Sequence, residues 1–508
     1  MKRDRFVGRY LIKISSSIII VLLNFVVSFI LPRAFSVEQY GFYTFNTNVF
    51  VNVVGIANLS ASSALASKYT KRNSEIGIVK FYLRFFLFMA AVISIGLILV
   101  YPIEFVRRSL GGQTLLAVVL GLEAAILNKL LTDTITIYDS IAVSRFPAFM
   151  QIILKICMVV FVIVTFSLGY LNMIVFYVGQ AVVFLLIITI LLLSFFKDCY
   201  KVNEITQDKG WKWYFREFYE FCRPLVLVGI FAQILSIFMD VTLLDNQGPM
   251  ERAMYGAASQ LNVIIVYVFS PYAELSKREY AVRVDDKSAL KSYVVQSAKT
   301  IMWLTAYFAV FVALMSDKIV PFVFGEKYTA AITAVIIMMG YAIYQSWGQV
   351  LGSYLISTEK TKVSAAFSVI SQVAMLFGAI LFIRPNFIWE NGLGAEGMAL
   401  ARFFANLIYA VTMATWIAKD VGFSRWRMNL IHILSIVVLS VMTLVSRGIV
   451  SWISRIISVN TFLYIILSGF IYTICVFLLL YNIPDLLGVS KEQMQRTINL
   501  IRDRMKNG

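Results

Sequence analysis

The chain has 508 residues, of which 60% are hydrophobic and 14% charged, and its mean hydropathy is +0.80. Soluble domains carry roughly 25% charged residues, so this composition excludes an ordinary water-soluble globular protein. A net charge of +17 would suit nucleic-acid binding in a soluble chain, but in a membrane protein basic residues collect in cytoplasmic loops. We therefore expect a multi-pass membrane protein whose partner is the lipid bilayer, with no nucleic acid.

Apolar runs recur along the sequence, and several approach or exceed the roughly 20 residues that cross a bilayer as a helix. The breakers between the runs separate them into individual spans. Together they predict an all-α polytopic protein with fourteen transmembrane helices at about 10–32, 40–66, 79–103, 114–137, 145–168, 171–196, 221–246, 251–273, 295–316, 328–357, 362–384, 394–418, 427–447 and 460–482.

The distribution of basic residues predicts the topology. With the N-terminus in the cytoplasm and alternating sides, 34 Lys and Arg residues fall on the inner side and 10 on the outer side. Fourteen helices with both termini cytoplasmic therefore fit the positive-inside rule. The outer loops are all short, which leaves no room for an extracellular catalytic domain.

Two inner segments are predicted to lie at the membrane surface. The connection KDCYKVNEITQDKGWKWYFREFYEFCR (197–223) interleaves basic and aromatic residues, as in helices of the headgroup region. A plain basic loop explains the same segment equally well. The final KEQMQRTINLIRDRMKNG predicts a short amphipathic helix.

A weak internal repeat divides the chain into halves. The segment LPRAFSVEQYGFYTF (31–45) ends one apolar helix, passes through a polar turn with a proline, and opens the next helix with Tyr40-Gly41. The segment LLDNQGPMERAMYGAAS (243–259) repeats this order 215 residues later with Tyr255-Gly256. Two six-helix halves of the same orientation are a known transporter plan. We predict bundles at 1–196 and 221–418, a cytoplasmic linker at 197–220, and two further helices with a tail at 419–508.

Polar stripes run along several predicted helices. Packing between helices through small and polar side chains explains any single stripe as well as a cavity does. Four stripes, two of them in corresponding helices of the two halves, favour a shared central cavity. The candidate binding residues from these stripes are Asn48, Asn52 and Gln260.

Ionisable residues inside the predicted spans are stronger candidates, since a charge at mid-bilayer costs roughly 2.5–3.5 kcal/mol. Lys129 and Asp133 are spaced to pair on one helix face, and Glu123 lies on the same helix. Lys155 lies about ten residues inside the fifth span, and Asp240 lies near the outer end of the seventh. One explanation is structural: the charges form internal ion pairs, and the lysines extend toward the membrane surface. The other is functional: the basic residues bind an anionic headgroup, and Glu123, Asp133 or Asp240 takes part in ion coupling. The candidates at the outer mouth are Arg33, Arg252 and Arg402.

Cofactor chemistry has few candidate residues. The four cysteines form no CxxC pair and there is a single histidine, so the sequence indicates no metal site, disulfide framework or histidine-based catalysis. No GxxxxGK[ST] motif is present. We expect no cofactor beyond H⁺ or Na⁺ as a coupling ion.

Three segments resemble one known family. LPRAFSVEQYGFYTF resembles the start of bacterial polysaccharide transporters, and VPFVFGEKYTAAITAVIIMMGYAIYQSWGQVLGSYLISTEKTK (320–362) is similar to their ninth-to-tenth-helix region. GLGAEGMALARFFANL (392–407) is similar to the glycine-rich start of their helix twelve. The family is the lipid-linked oligosaccharide (O-antigen type) flippases, a branch of the multidrug/oligosaccharidyl-lipid/polysaccharide (MOP) exporter superfamily.

The resemblance implies two six-helix bundles around a cationic central cavity, alternating access, and no covalent chemistry. The implied substrate is an undecaprenyl-diphosphate-linked repeat unit for O-antigen, exopolysaccharide or lipopolysaccharide, moved to the outer leaflet of the bacterial inner membrane. Glycan polymerase and export machinery are the implied partners. Helix matching would place near the cavity Asn24, Arg33, Asn48, Asn52, Asp240, Arg252 and Gln260.

Other functions stay open at the sequence level. A multidrug exporter of the same superfamily would have an acidic cavity, whereas this chain has intramembrane lysines. Lipid II flippase relatives carry several arginines deep in helix one, and this chain has none between Arg9 and Arg33. A membrane polymerase or ligase of lipid-linked glycans would need a large catalytic outer loop. A scaffold without transport would not need the intramembrane charges.

Overall fold

The computed structural model describes residues 6–72, 75–201, 209–385 and 392–487. These residues form α-helices, two short 3₁₀ helices (Glu326–Ala331 and Pro484–Leu487) and no strand, which confirms the all-α prediction. The predicted tail helix and residues 202–208 of the linker lie outside the described part. The helices are α1 (Phe6–Ala34), α2 (Val37–Asn58), α3 (Ala61–Lys71), α4 (Ile76–Val100), α5 (Glu104–Ser109), α6 (Leu115–Ser140), α7 (Arg145–Ser167), α8 (Met173–Lys201), α9 (Trp211–Val282), α10 (Lys287–Leu314), α11 (Ser316–Phe324), α12 (Ile332–Ser357), α13 (Thr361–Phe382), α14 (Gly394–Asp420), α15 (Arg425–Ile456) and α16 (Thr461–Asn482).

The number of spans agrees with the sequence. In the described residues, 12 helices are long and apolar enough to cross a membrane, or 13 when the bent pair α2 and α3 is one span. One of them, the 54-residue stretch Gly229–Val282, covers the two predicted spans 221–246 and 251–273. Counting the bent pair as one span and the 54-residue stretch as two gives fourteen spans, the predicted number.

A single glycine divides α9. Its 72 residues would extend roughly 108 Å as one straight helix, against a hydrocarbon thickness of roughly 30 Å. Gly248 interrupts the helical backbone with φ 81° and ψ 177°. The residue before a proline is disfavoured in the α region and glycine tolerates positive φ, so Gly248 followed by Pro249 explains the break. The sequence predicts a polar turn here, and the structure replaces it with a one-residue interruption.

A second break separates α2 from α3. The two helices bend by 56° at Leu59 and Ser60, which have positive φ of 49° and 62°. Non-glycine residues seldom adopt this conformation, so the surroundings hold it in place. The sequence predicts one continuous helix at 40–66, because neither glycine nor proline marks the break.

The chain divides into two compact units with a boundary after Gly256. In the first unit α6 is the central helix and packs against α2, α3, α4 and α8, while α1 packs on α7. In the second unit α14 packs against α12, α13 and α15. Small residues bring these helices close: a Cβ on Gly397 would lie 2.5 Å from the backbone oxygen of Phe382.

Gly41 makes another close backbone contact within the first unit. A Cβ at this position would lie 1.9 Å from the backbone oxygen of Pro249, next to the break in α9. We expect Gly41→Ala to destabilise the protein by about 1–3 kcal/mol, the usual cost of overpacking. Thermal unfolding in detergent measures it. Gly96→Ala is the control, because a Cβ there meets nothing within 4 Å; an equal effect of both substitutions would contradict the packing assigned to Gly41.

Candidate functional site

The polar stripe on α2 faces the first half of α9. The Asn52 amide donates hydrogen bonds to Ser236 Oγ at 3.2 Å and to the Asn48 carbonyl at 2.8 Å. A Cβ on Gly55 would lie 2.8 Å from Gln233 Oε1. Asn52 therefore lies at a close contact between helices, where polar groups and a small residue allow near approach, while Asn48 contributes its backbone carbonyl to a hydrogen bond within α2.

A hydrogen-bonded network surrounds the central helix α6. The Lys129 ammonium donates to Asp133 Oδ1 at 2.7 Å and to Ser62 Oγ at 2.5 Å. Tyr82 of α4 donates to the other oxygen of Asp133, and Asn58 donates to the Tyr82 hydroxyl at 3.0 Å. Asp133 is 1% exposed while Lys129 is 26% exposed, so the cation is the accessible member of the pair. The sequence predicts only the Lys129–Asp133 pair.

This network lies at the break between α2 and α3. Asn58 is the last residue of α2, and its side-chain oxygen accepts from the backbone N–H of Ser62 at 3.1 Å and from its hydroxyl at 2.9 Å. The first N–H groups of a helix have no partner within the helix, so Asn58 satisfies one at the start of α3. The break thus places Asn58 and Ser62 beside Lys129 and Tyr82.

Lys155 and Glu123 are the other charged candidates of this unit. The Glu123 carboxylate accepts a hydrogen bond from Ser94 Oγ at 2.9 Å. Lys155 lies midway along α7 and is half-buried. It makes no ion pair or hydrogen bond with any residue that the structure describes. A cation without a counter-ion in the middle of a span is costly, which marks it as a functional candidate.

Asp240 and Arg252 form a buried pair across the break in α9. The carboxylate and guanidinium lie 3.0 Å apart, and both side chains are 0% exposed. Arg252 also donates to the Thr44 carbonyl at 3.0 Å and lies over the Tyr255 ring at 5.3 Å. Arg252 Nε and Nη1 and Asp240 Oδ2 have no hydrogen-bond partner among the described residues. The pair is inaccessible in this conformation, and its remaining polar atoms are incompletely satisfied.

The last three candidates lie elsewhere. The Arg33 guanidinium lies 3.7 Å from the Phe29 ring centroid and donates to the Phe29 carbonyl at 3.1 Å, at the end of α1. Gln260 and Arg402 belong to the second unit and are half-buried on α9 and α14. No group of three or more His, Cys, Asp or Glu in the described part could hold a metal ion.

Sequence reasoning missed an ionic cluster joining α3 to the start of α9. Glu217 Oε1 lies 3.0 Å from Lys68 and 2.5 Å from Arg72. Arg72 also pairs with Glu75 at 3.3 Å, and Tyr214 donates to Glu75 at 2.8 Å. Burial alone would raise the pKa of the Glu217 carboxyl, but hydrogen bonds from Arg72 and Lys68 outweigh burial and lower it. The basic-aromatic segment at 197–223 was the only signal of this cluster.

The lowered pKa of Glu217 predicts a pH dependence of stability. The folded-state pKa of Glu217 lies below the unfolded value of about 4.3. The ionised carboxylate therefore stabilises the folded protein fully above that pH, and this contribution is lost as the pH falls through the folded-state pKa. We expect Glu217→Gln to have a lower thermal midpoint than wild type at pH 7. Between pH 7 and pH 3 the midpoint of the variant should fall by less than that of wild type. Glu220→Gln is the matched control, since Glu220 pairs with Arg216 at an exposed site. Parallel pH profiles for wild type and Glu217→Gln would contradict the assignment.

The fold described above is similar to that of several solved membrane transporters. A lipid II flippase, MurJ in an inward closed conformation, is similar with a TM-score of 0.65 and 15% identity, over 94% of this chain and 99% of that chain. An inward-facing multidrug resistance MATE transporter is similar with a TM-score of 0.58 and 14% identity, over 82% and 96%. A MOP transporter from Pyrococcus furiosus, described as having a binding pocket of reverse polarity, is similar with a TM-score of 0.57 and 12% identity, over 83% and 98%.

These likenesses establish the fold, because identities of this size do not carry function. No protein-family model matches the sequence. No curated protein is similar to it in sequence.

Proposed function

We propose that the chain is a flippase that moves an undecaprenyl-diphosphate-linked oligosaccharide from the inner to the outer leaflet by alternating access. The observation that carries the proposal is Lys155, a cation without a counter-ion among the described residues, midway along α7. A diphosphate cannot cross hydrocarbon without compensating charge, and ammonium groups supply charge-assisted hydrogen bonds to phosphate oxygens.

Lys129 supports the same chemistry in a different way. Its ammonium is partly exposed and held by the buried carboxylate of Asp133. An arriving diphosphate competes with Asp133 for this ammonium. Since Asp133 also accepts from Tyr82, the carboxylate keeps one donor when the lysine turns to substrate. Lys129 can therefore bind the headgroup without leaving the buried Asp133 carboxylate unpaired.

Ion coupling is assigned to the intramembrane carboxylates Glu123, Asp133 and Asp240, with H⁺ or Na⁺ as the driving ion. Asp240 is the member whose environment depends on the break in α9, because it pairs with Arg252 across Gly248. Neutralising or coordinating Asp240 would leave the Arg252 guanidinium buried with fewer partners, which disfavours the present arrangement. Binding of the ion is thereby linked to a change at the break.

The rival is export of small molecules, the activity named for the MATE neighbours. Cationic drugs would be repelled by Lys155, and lipid II differs from a polysaccharide repeat unit in its headgroup. The test is proteoliposomes containing the purified chain and one of three cargoes: a lipid-diphosphate oligosaccharide, lipid II or a cationic dye. We expect only the first to become accessible to an external glycan-modifying reagent above protein-free vesicles. Translocation of the dye or of lipid II alone would replace the proposal with the corresponding rival.

A further inference from the structure

A polar pocket lies at the end of α15 and the start of α16, far along the chain from the candidates above. Its volume is about 700 Å³. We call it the α15–α16 pocket. It is lined by Lys318, Arg447, Gly448, Ser451, Ser454, Ser458, Val459, Thr461 and Tyr464. The topology predicted from basic residues places it on the outer side of the membrane.

Two cations give the pocket its charge. Arg447 is anchored by Asp317 at 2.7 Å and by the Leu314 carbonyl at 2.5 Å. Lys318 has no acidic partner and no hydrogen bond among the residues that the structure describes, and its ammonium lies 6.0 Å from the Tyr464 ring. One carboxylate against two cations leaves a net positive pocket in which Lys318 is available to a ligand.

Hydroxyl groups line the same cavity. Arg447, Ser451 and Ser454 are spaced four and three residues apart, which puts them on one face of α15. Gly448 also lines the cavity and leaves it open, since a Cβ there would meet nothing within 4 Å. Thr461 opens the 22-residue helix α16, whose N-terminus adds partial positive charge to the cavity. Cations, hydroxyl donors and a helix N-terminus together suit phosphate oxygens.

We propose that the α15–α16 pocket binds the phosphate headgroup of a lipid in the outer leaflet. Two sources share this chemistry, an ordinary anionic phospholipid and the lipid-diphosphate product. If the diphosphate is the preferred ligand, the pocket holds product at the moment of release, a role that rests on the proposed function. Headgroup binding itself does not depend on flipping.

The test is native mass spectrometry of the full chain in nanodiscs, with two probes in a phosphatidylcholine background. The probes are farnesyl diphosphate and phosphatidylglycerol. One lysine near an anionic headgroup contributes about 1 kcal/mol, so Lys318→Gln should weaken retention of the preferred probe about fivefold. Ser451→Trp, which fills the pocket, should have a larger effect. The matched controls are Arg455→Gln, an exposed cation at the end of α15 outside the pocket lining, and Ile449→Trp, an exposed neighbour on the same helix.

Each outcome decides the proposal. Loss of farnesyl diphosphate in both pocket variants, with the controls unchanged, supports a site for the lipid diphosphate. The same pattern for phosphatidylglycerol supports the site with a phospholipid as its source. Equal retention in pocket and control variants would overturn it. Because binding is measured without transport, a chain that retains the probe but translocates nothing would contradict only the proposed function.

Discussion

Replacing Asp133 with alanine is expected to destabilise the protein by about 3–5 kcal/mol, the usual cost of removing one partner of a buried ion pair. Asp133 is 1% exposed and accepts from both Lys129 and Tyr82. Without it the Lys129 ammonium keeps only Ser62 among its described partners, and the Tyr82 hydroxyl loses its carboxylate acceptor. Thermal and denaturant unfolding of the purified variant in detergent would show the loss.

The double variant Lys129→Met, Asp133→Leu separates charge from shape. Removing both charges leaves no uncompensated ion in the bilayer, so we expect it to recover most of the stability lost in Asp133→Ala. We also expect it to lose translocation, because both the receiving cation and one of the proposed coupling carboxylates are gone. A double variant as unstable as Asp133→Ala would show that the pair is not the source of the destabilisation. Full translocation by the double variant would exclude Lys129 from substrate binding and Asp133 from ion coupling.

Replacing Lys155 with methionine is expected to lower translocation without lowering the stability of the protein. Because the ammonium has no described partner and lies midway along α7, its removal should leave the thermal midpoint unchanged or raise it. Translocation should fall, since a charge-assisted hydrogen bond contributes roughly 1.5–3 kcal/mol, a factor of about ten to a hundred. Unfolding curves and initial translocation rates on the same preparations measure the two effects.

The controls for Lys155 are chosen on the same helix. Lys155→Arg keeps the charge and should retain most of the activity, although the guanidinium differs in shape. Cys157→Met changes an exposed neighbour on α7 and should have no effect. If all three variants lost activity, the cause would be disturbed packing of α7 and not the missing cation.

The membrane-spanning helices were predictable because the length of an apolar run can be read directly from the local sequence. The sequence predicts fourteen spans, and it marks the interruption of α9 because Gly248 and Pro249 are local signals. The break at Leu59 and Ser60 carries no such signal. Contacts with other helices hold this break in place. The helical periodicity of hydrophobic residues indicates where a helix runs, but it does not indicate which other helices the helix contacts.

The site was predictable only where its partners share a helix. Lys129 and Asp133 are four residues apart on α6, so their pairing follows from helix geometry. Tyr82 reaches the same carboxylate from 51 residues away in sequence, and Glu217 reaches Arg72 from 145 residues away. Which helices pack together decides such contacts, and a single sequence does not specify it. The division into six-helix halves stays a prediction.

If the Lys155 ammonium compensates the charge of a diphosphate headgroup inside the membrane, its removal must slow translocation. The most direct test is the initial rate at which a labelled lipid-diphosphate oligosaccharide becomes accessible outside proteoliposomes containing wild type, Lys155→Met or Lys155→Arg. We expect translocation by wild type and Lys155→Arg, and a rate about ten to a hundred times lower for the correctly folded Lys155→Met. Equal rates for all three proteins, or none above protein-free vesicles, would contradict this role of Lys155.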